Sequence, residues 1–178
     1  MSRPGISFSP SSSHSFTDKK HLNAAALGRP NVNPPDIVIQ DNAELLAFTV
    51  DTDRVFYDWD VPPEYDGGNL QIQVEWTNDG GVDDQNKDVK VQIDYQTYDE
   101  GDSLAGSHAN SPKSIEDTYT SASGWIFHVT GSMTIAAADF AGKHGITMKI
   151  SFVTPTGTAL TAEPHLKGIQ VLYNAKIK

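Results

Sequence analysis

Asn69-Leu-Gln-Ile-Gln-Val-Glu-Trp-Thr77 places Leu70, Ile72, Val74 and Trp76 at alternate positions, with Asn69, Gln71, Gln73, Glu75 and Thr77 between them. A period of two is that of a strand with one buried and one wet face. The same rhythm recurs outward in both directions. Upstream, Val55, Tyr57 and Trp59 alternate with polar residues, and Ile37–Ile39 and Leu45–Val50 are short apolar runs. Downstream come Val89, Val91, Ile93 and Tyr95, a Thr- and Tyr-rich run over Glu116–Ser121, and Trp125, Phe127 and Val129 with Ile126 and His128 opposite. The last two strands carry Ile146, Met148, Ile150 and Phe152, then Ile169, Val171, Tyr173 and Ile177. Only Ile135–Gly142, with Thr134 as N-cap, suits a short helix. About eight short strands without a strand–helix–strand rhythm predict an all-β, antiparallel two-sheet sandwich, jelly-roll-like in its strand count. Strand count alone leaves another Greek-key sandwich open.

Two units are expected: an extended N-terminal arm over residues 1–35 and a sandwich domain over 36–178. The arm is rich in Ser, Pro, Asn and Gly, with apolar residues placed singly. Such a segment cannot offset its ordering entropy alone, so it is either a disordered tail or orders by lying along something else, which its two phenylalanines and scattered leucines favour. The chain carries a net charge of −10, divided as +3 over residues 1–35 and −13 over the remainder. An acidic body argues against nucleic-acid binding. A basic arm suits an acidic protein surface, and the arm residues expected to make contacts are Arg3, Phe8, Phe16, Lys19, Lys20, Leu22 and Arg29. The chain has no cysteine, so neither a disulfide nor a thiolate metal site is available. No apolar run reaches the roughly 20 residues that span a bilayer. The opening residues lack the apolar core of a signal peptide, so synthesis in a cytoplasm is expected.

Chemistry-bearing patterns are sparse. Asp84, Asn86 and Asp88 have the first three spacings of an EF-hand loop, but Val89 stands where Gly is required and Tyr95 where a bidentate Glu is required. An acidic hairpin loop is the expected reading. The six histidines form no zinc-type pair, so no metal or other cofactor is expected. Asp58, Asp60 and Glu64 cluster by Trp59 as a glycosidase pair might, yet Asp58 and Asp60 fall on the outward side of their strand. Trp59, Trp76 and Trp125 could form a sugar-stacking platform, but all three share the phase of aliphatic neighbours, which predicts core packing. The protein is therefore expected not to be an enzyme.

The stretch Trp59-Asp-Val-Pro-Pro-Glu-Tyr-Asp-Gly-Gly-Asn-Leu-Gln-Ile-Gln-Val-Glu-Trp76 resembles a motif of jelly-roll virion structural proteins of tailed bacteriophages. The likeness extends over about residues 54–178 and departs at Thr161-Ala-Glu-Pro-His165, where the family pattern often carries an Asp-containing stretch. Residues 1–35 lie outside it. The resemblance implies a capsid cement or decoration protein on the outer capsid surface of the virion. It also implies a homotrimer bridging copies of the major capsid protein, with extended termini reaching across the shell. A tail- or fibre-associated virion protein and a carbohydrate-binding β-sandwich module are the alternatives.

Overall fold

A computed structural model describes residues 15–103 and 112–176. Eleven strands form two antiparallel sheets. They are β1 (Ser15–Asn23), β2 (Asp36–Gln40), β3 (Ala43–Ala47), β4 (Val55–Asp60), β5 (Leu70–Asn78), β6 (Lys87–Tyr98), β7 (Lys113–Tyr119), β8 (His128–Val129), β9 (Met133–Ile135), β10 (Gly145–Val153) and β11 (Pro164–Lys176). The larger sheet runs β2-β3-β11-β5, with β8 and β9 side by side along the far edge of β5. The smaller runs β4-β10-β6-β7.

β8 and β9 are one strand interrupted at Thr130, whose backbone N–H donates to the Val74 carbonyl and whose hydroxyl accepts the Val74 N–H (both 3.0 Å). Counted so, eight strands from β3 onward divide as first-eighth-third-sixth and second-seventh-fourth-fifth. That is the jelly-roll wrap, in which the chain's late strands fold back beside its early ones. β1 and β2 are additions at its margins.

The alternating residues of the core strands meet between the sheets. Leu70, Ile72, Val74 and Trp76 are fully buried, as are Ile146, Met148, Ile150 and Phe152 opposite them. The Pro62–Gly68 turn joins β4 to β5 across the sheets. Gly67 and Gly68 adopt left-handed φ of 81° and 95°, which other residues rarely do. Tyr65 packs edge-on against Trp59 and bridges to Ala175, locking the turn to the last strand.

Four expectations are corrected. The boundary at residue 35 falls inside the fold, since β1 pairs residue for residue with β11 from Ser15↔Lys176 to Asn23↔Gly168. Beyond it, Ala24 and Leu27 enter the core at 1% and 5% exposure, and Gly28 bridges Phe56 of β4. The segment has little apolar content because it is an edge strand plus a cap, and it borrows its order from its own subunit. Second, the helix is shorter than expected, Ala137–Phe140; Thr134 sits in β9, and the helix's first N–H, that of Ala137, donates instead to Asn69 Oδ1 at 3.0 Å. Third, Trp125 belongs to the turn before β8 rather than to a strand, and Phe127 and Val129 face outward. Fourth, His128 is turned inward, stacked between Trp76 and Tyr119 with centroids 4.9 and 5.0 Å away. Phe127, His128 and Val129 alternate with the expected sides reversed, while Ile126 is exposed as well.

Candidate functional site

The outer face of the larger sheet carries the one aromatic shelf among the described residues. Register fixes its members. Gln40 opposes Ala43 and Val38 opposes Leu45 on the β2–β3 hairpin, while Thr77 of β5 opposes His165 of β11. A β-bulge between Leu166 and Gly168 turns Lys167 out of the ladder onto this face. The turn before β8 then lays Trp125 and Phe127 across it. Together Gln40, Leu45, Thr77, Trp125, Phe127 and Lys167 line a shallow groove with Ala43 in its floor.

The turn is tied down at every residue. Gly124 passes so close to the Asp79 carbonyl that an added Cβ would lie 2.9 Å from it. Trp125 holds a φ of +64°, a left-handed conformation that is an outlier for a bulky residue. Its N–H donates to the Asn78 carbonyl at 2.7 Å, and the Ile126 carbonyl accepts from the Thr77 hydroxyl at 2.9 Å. The Trp125 ring rests on the His165 imidazole, centroids 4.9 Å apart. Phe127 is 49% exposed, and the Lys167 ammonium lies 4.6 Å from its ring centroid.

Beneath the groove lies a buried polar cluster. The Glu75 carboxylate accepts from His21 Nε2 of β1 at 2.8 Å, from Lys167 Nζ at 3.2 Å and from the Gln170 amide. Burial alone would raise the Glu75 acid; these three donors and the Lys167 charge outweigh it and hold the acid below the ordinary range. Burial pushes His165 below the usual imidazole value, against Asp79 and Glu163, so its ring is neutral at pH 7. His165 Nδ1 is buried without a hydrogen-bond partner.

The residues expected to carry partner contacts divide into three groups. Arg3 and Phe8 lie outside the described residues. Leu22 packs against its own core, and the Arg29 guanidinium donates to the Pro35 carbonyl at 2.6 Å, so both serve the subunit that contains them. Phe16, Lys19 and Lys20 are exposed on β1, with Lys20 Nζ 5.7 Å from the Tyr57 ring. Phe16 and Lys20 share one side of the strand and Lys19 the other.

One carboxylate of the hydrolytic pattern and one of the calcium pattern are engaged in internal bonds. Trp59 points into the core, while Asp60 on the opposite side accepts from the Tyr98 hydroxyl at 2.5 Å. Asp84 is fully buried and accepts from the Thr161 N–H at 2.6 Å, the Ala162 N–H at 3.0 Å, the Thr161 hydroxyl and Lys87 Nζ at 3.2 Å. It clamps the hairpin loop to the 160s loop. Among the described residues no group of three or more His, Asp or Glu side chains is gathered as a metal site, and no helix is long and apolar enough to cross a membrane. Trp125 is the site residue that sequence reasoning placed wrongly. The Gly124-Trp125 pair after a polar run was the available sign of a turn.

No family model matches the chain, and no curated protein does. Among solved structures it is similar to an exo-β-1,3-galactanase from Phanerochaete chrysosporium bound to galactose. The TM-score is 0.49 and the identity 12%, over 93% of this chain and 30% of that one. It is also similar to the enzymatically active domain of tailspike protein 4 of bacteriophage CBA120, at TM-score 0.32 and 9% identity, over 92% of this chain and 19% of that one. The chain thus spans under a third of either structure, and likenesses at this distance say nothing of activity.

Proposed function

We propose that this chain is a non-enzymatic structural protein of a phage particle, a capsid-decorating jelly roll that sits as a homotrimer on the outer surface of a shell of major capsid protein. The observation that carries this is the edge of β1. On a chain whose residues 36–178 total −13, β1 presents exposed Phe16, Lys19 and Lys20 along a strand that pairs, among the described residues, only with β11. A free strand edge with positive charge and an apolar tip suits addition to an acidic partner surface, with backbone hydrogen bonds giving affinity and charge giving register. The phage-like stretch Trp59–Trp76 supports the same reading, because it builds the rigid β4–β5 corner that holds the last strand, and with it β1, in place. Two of the carboxylates raised for hydrolysis support a non-catalytic role as fasteners, Asp60 accepting from the Tyr98 hydroxyl and Glu64 from the Tyr173 hydroxyl. Three weak contacts per trimer give strong retention through avidity.

The attachment surface is therefore a fixed edge rather than a free arm. Undecorated shells mixed with the full chain should retain it in hundreds of copies, and the triple variant Phe16→Ser, Lys19→Glu, Lys20→Glu should be lost from them while keeping its melting temperature. Equal retention of the variant, or recovery of the natural protein only with tails, would overturn the proposal.

A further inference from the structure

We propose that the groove between the β2–β3 hairpin and the turn before β8 binds a neutral sugar ring of an oligosaccharide, stacked on Trp125 and Phe127. This goes beyond the structural role and does not depend on it.

The chemistry of the lining selects the occupant. A pyranose has an apolar C–H face and a rim of hydroxyls, and here an aromatic wall meets an apolar floor with Leu45 at 3% exposure. Polar groups stand at the rim. The Gln40 amide makes no hydrogen bond among the described residues, and Lys167 offers protons beyond the one it gives Glu75. The Thr77 hydroxyl, already donating to Ile126, retains accepting capacity. A neutral sugar fits better than an acidic one because the Lys167 charge is matched by buried Glu75 3.2 Å away. A second copy or another protein fits poorly in size, since a stable interface engages about 20–30 residues a side and seven line this groove. The backbone also shows preparation. Trp125 is kept at +64° by hydrogen bonds on both sides of it, so its ring is placed before any ligand arrives.

The three tryptophans make the test specific. Trp59 and Trp76 are 1% and 0% exposed, which leaves Trp125 as the one a soluble quencher can reach. The full chain is applied to a printed glycan array. Glucose, galactose and N-acetylglucosamine oligomers are then titrated in solution. At least one oligomer should bind, protect the fluorescence from acrylamide and lose about tenfold in affinity or more in Trp125→Ala and in Phe127→Ala. Phe127 is half exposed, so its variant keeps the fold if the Trp125 one does not. Both variants should still decorate shells, whereas the β1 variant should still bind sugar. Three results would sink the inference: an array without hits, binding undiminished in both variants, or a change of native oligomer mass in Phe127→Ala, which would make this face an interface between copies.

Discussion

Asp84 shows how a residue's role can be fixed from far along the chain. Its carboxyl is raised by burial and lowered more strongly by donors at Thr161, Ala162 and Lys87, which together bring it to about 2. An acid depressed on folding stabilises the native state above its ordinary value of 3.8, and that contribution disappears as pH falls through the folded value. Asp84→Ala should therefore cost about 3–5 kcal/mol at pH 7, as loss of one partner from a buried charged cluster does. The gap from wild type should narrow between about pH 4 and pH 2, measured by urea denaturation across that range. A constant gap would mean that the carboxylate's charge is irrelevant. Gly168 makes a second residue-scale case, because an added Cβ would lie 2.4 Å from the Leu22 carbonyl. Gly168→Ala should push β1 off the bulge and lower stability by about 1–3 kcal/mol in the same assay. Neither role could be read locally. Asp84 sits at a calcium-like spacing, but its donors Thr161 and Ala162 lie 77 and 78 residues on, and spacing carries no information about them.

At the scale of elements, alternation was legible and sidedness was not. The five strands with aliphatic alternation bury those of the expected residues that are described, Ile177 lying outside them, because in each strand one face is apolar throughout. Around Trp125 both faces carry large side chains. Period two then cannot say which face is inside, and Tyr119 and Trp76 settle it by enclosing His128. β1 was invisible for another reason: the side that carries Leu22 also carries polar residues, Asp18, bonded by the Tyr173 hydroxyl at 2.9 Å, and the exposed Lys20, set over the Tyr57 ring. What holds β1 is its ladder with β11 and the bond from His21 to Glu75. Glu75→Ala should loosen that strand selectively, seen as faster amide exchange over residues 15–23 while exchange in β5 and β10 stays slow. The Glu75 acid is held below its ordinary 4.5, so its contribution is complete above that pH and fades as pH falls through the lower folded value. Wild-type β1 should accordingly fray in acid before the core opens. Uniform exchange across all strands would show that the cluster is not a local fastener.

For the whole molecule, the jelly roll follows from β11, which closes the larger sheet by lying between β5 on one side and β3 and β1 end to end on the other. Thirteen residues long, it offers β3 only His165 and Leu166 and leaves Gly168–Lys176 open to β1. The eight-strand count of the wrap was legible in the sequence, although it left another Greek-key order open. The use of β1 was not, since a ladder formed by the first strand with the last is a contact of the highest sequence separation. A truncation series separates the two parts. Removing residues 1–23 strips nine ladder positions from β11 and exposes Glu75, yet of the described core residues it takes only the partly buried Leu22. That protein should fold, with a melting temperature lower by about 4–12 °C for a loss of about 2–3 kcal/mol. Removing residues 1–35 also takes Ala24 and Leu27 from the core and the Gly28–Phe56 bridge from the edge of β4. Burial of the two side chains alone accounts for about 3–4 kcal/mol, so this protein should be expanded or insoluble. Circular dichroism melts and gel filtration of the pair decide the matter. If the shorter chain melts with the longer one, residues 24–35 are an appendage after all, and the sandwich begins where the charge of the sequence changes sign.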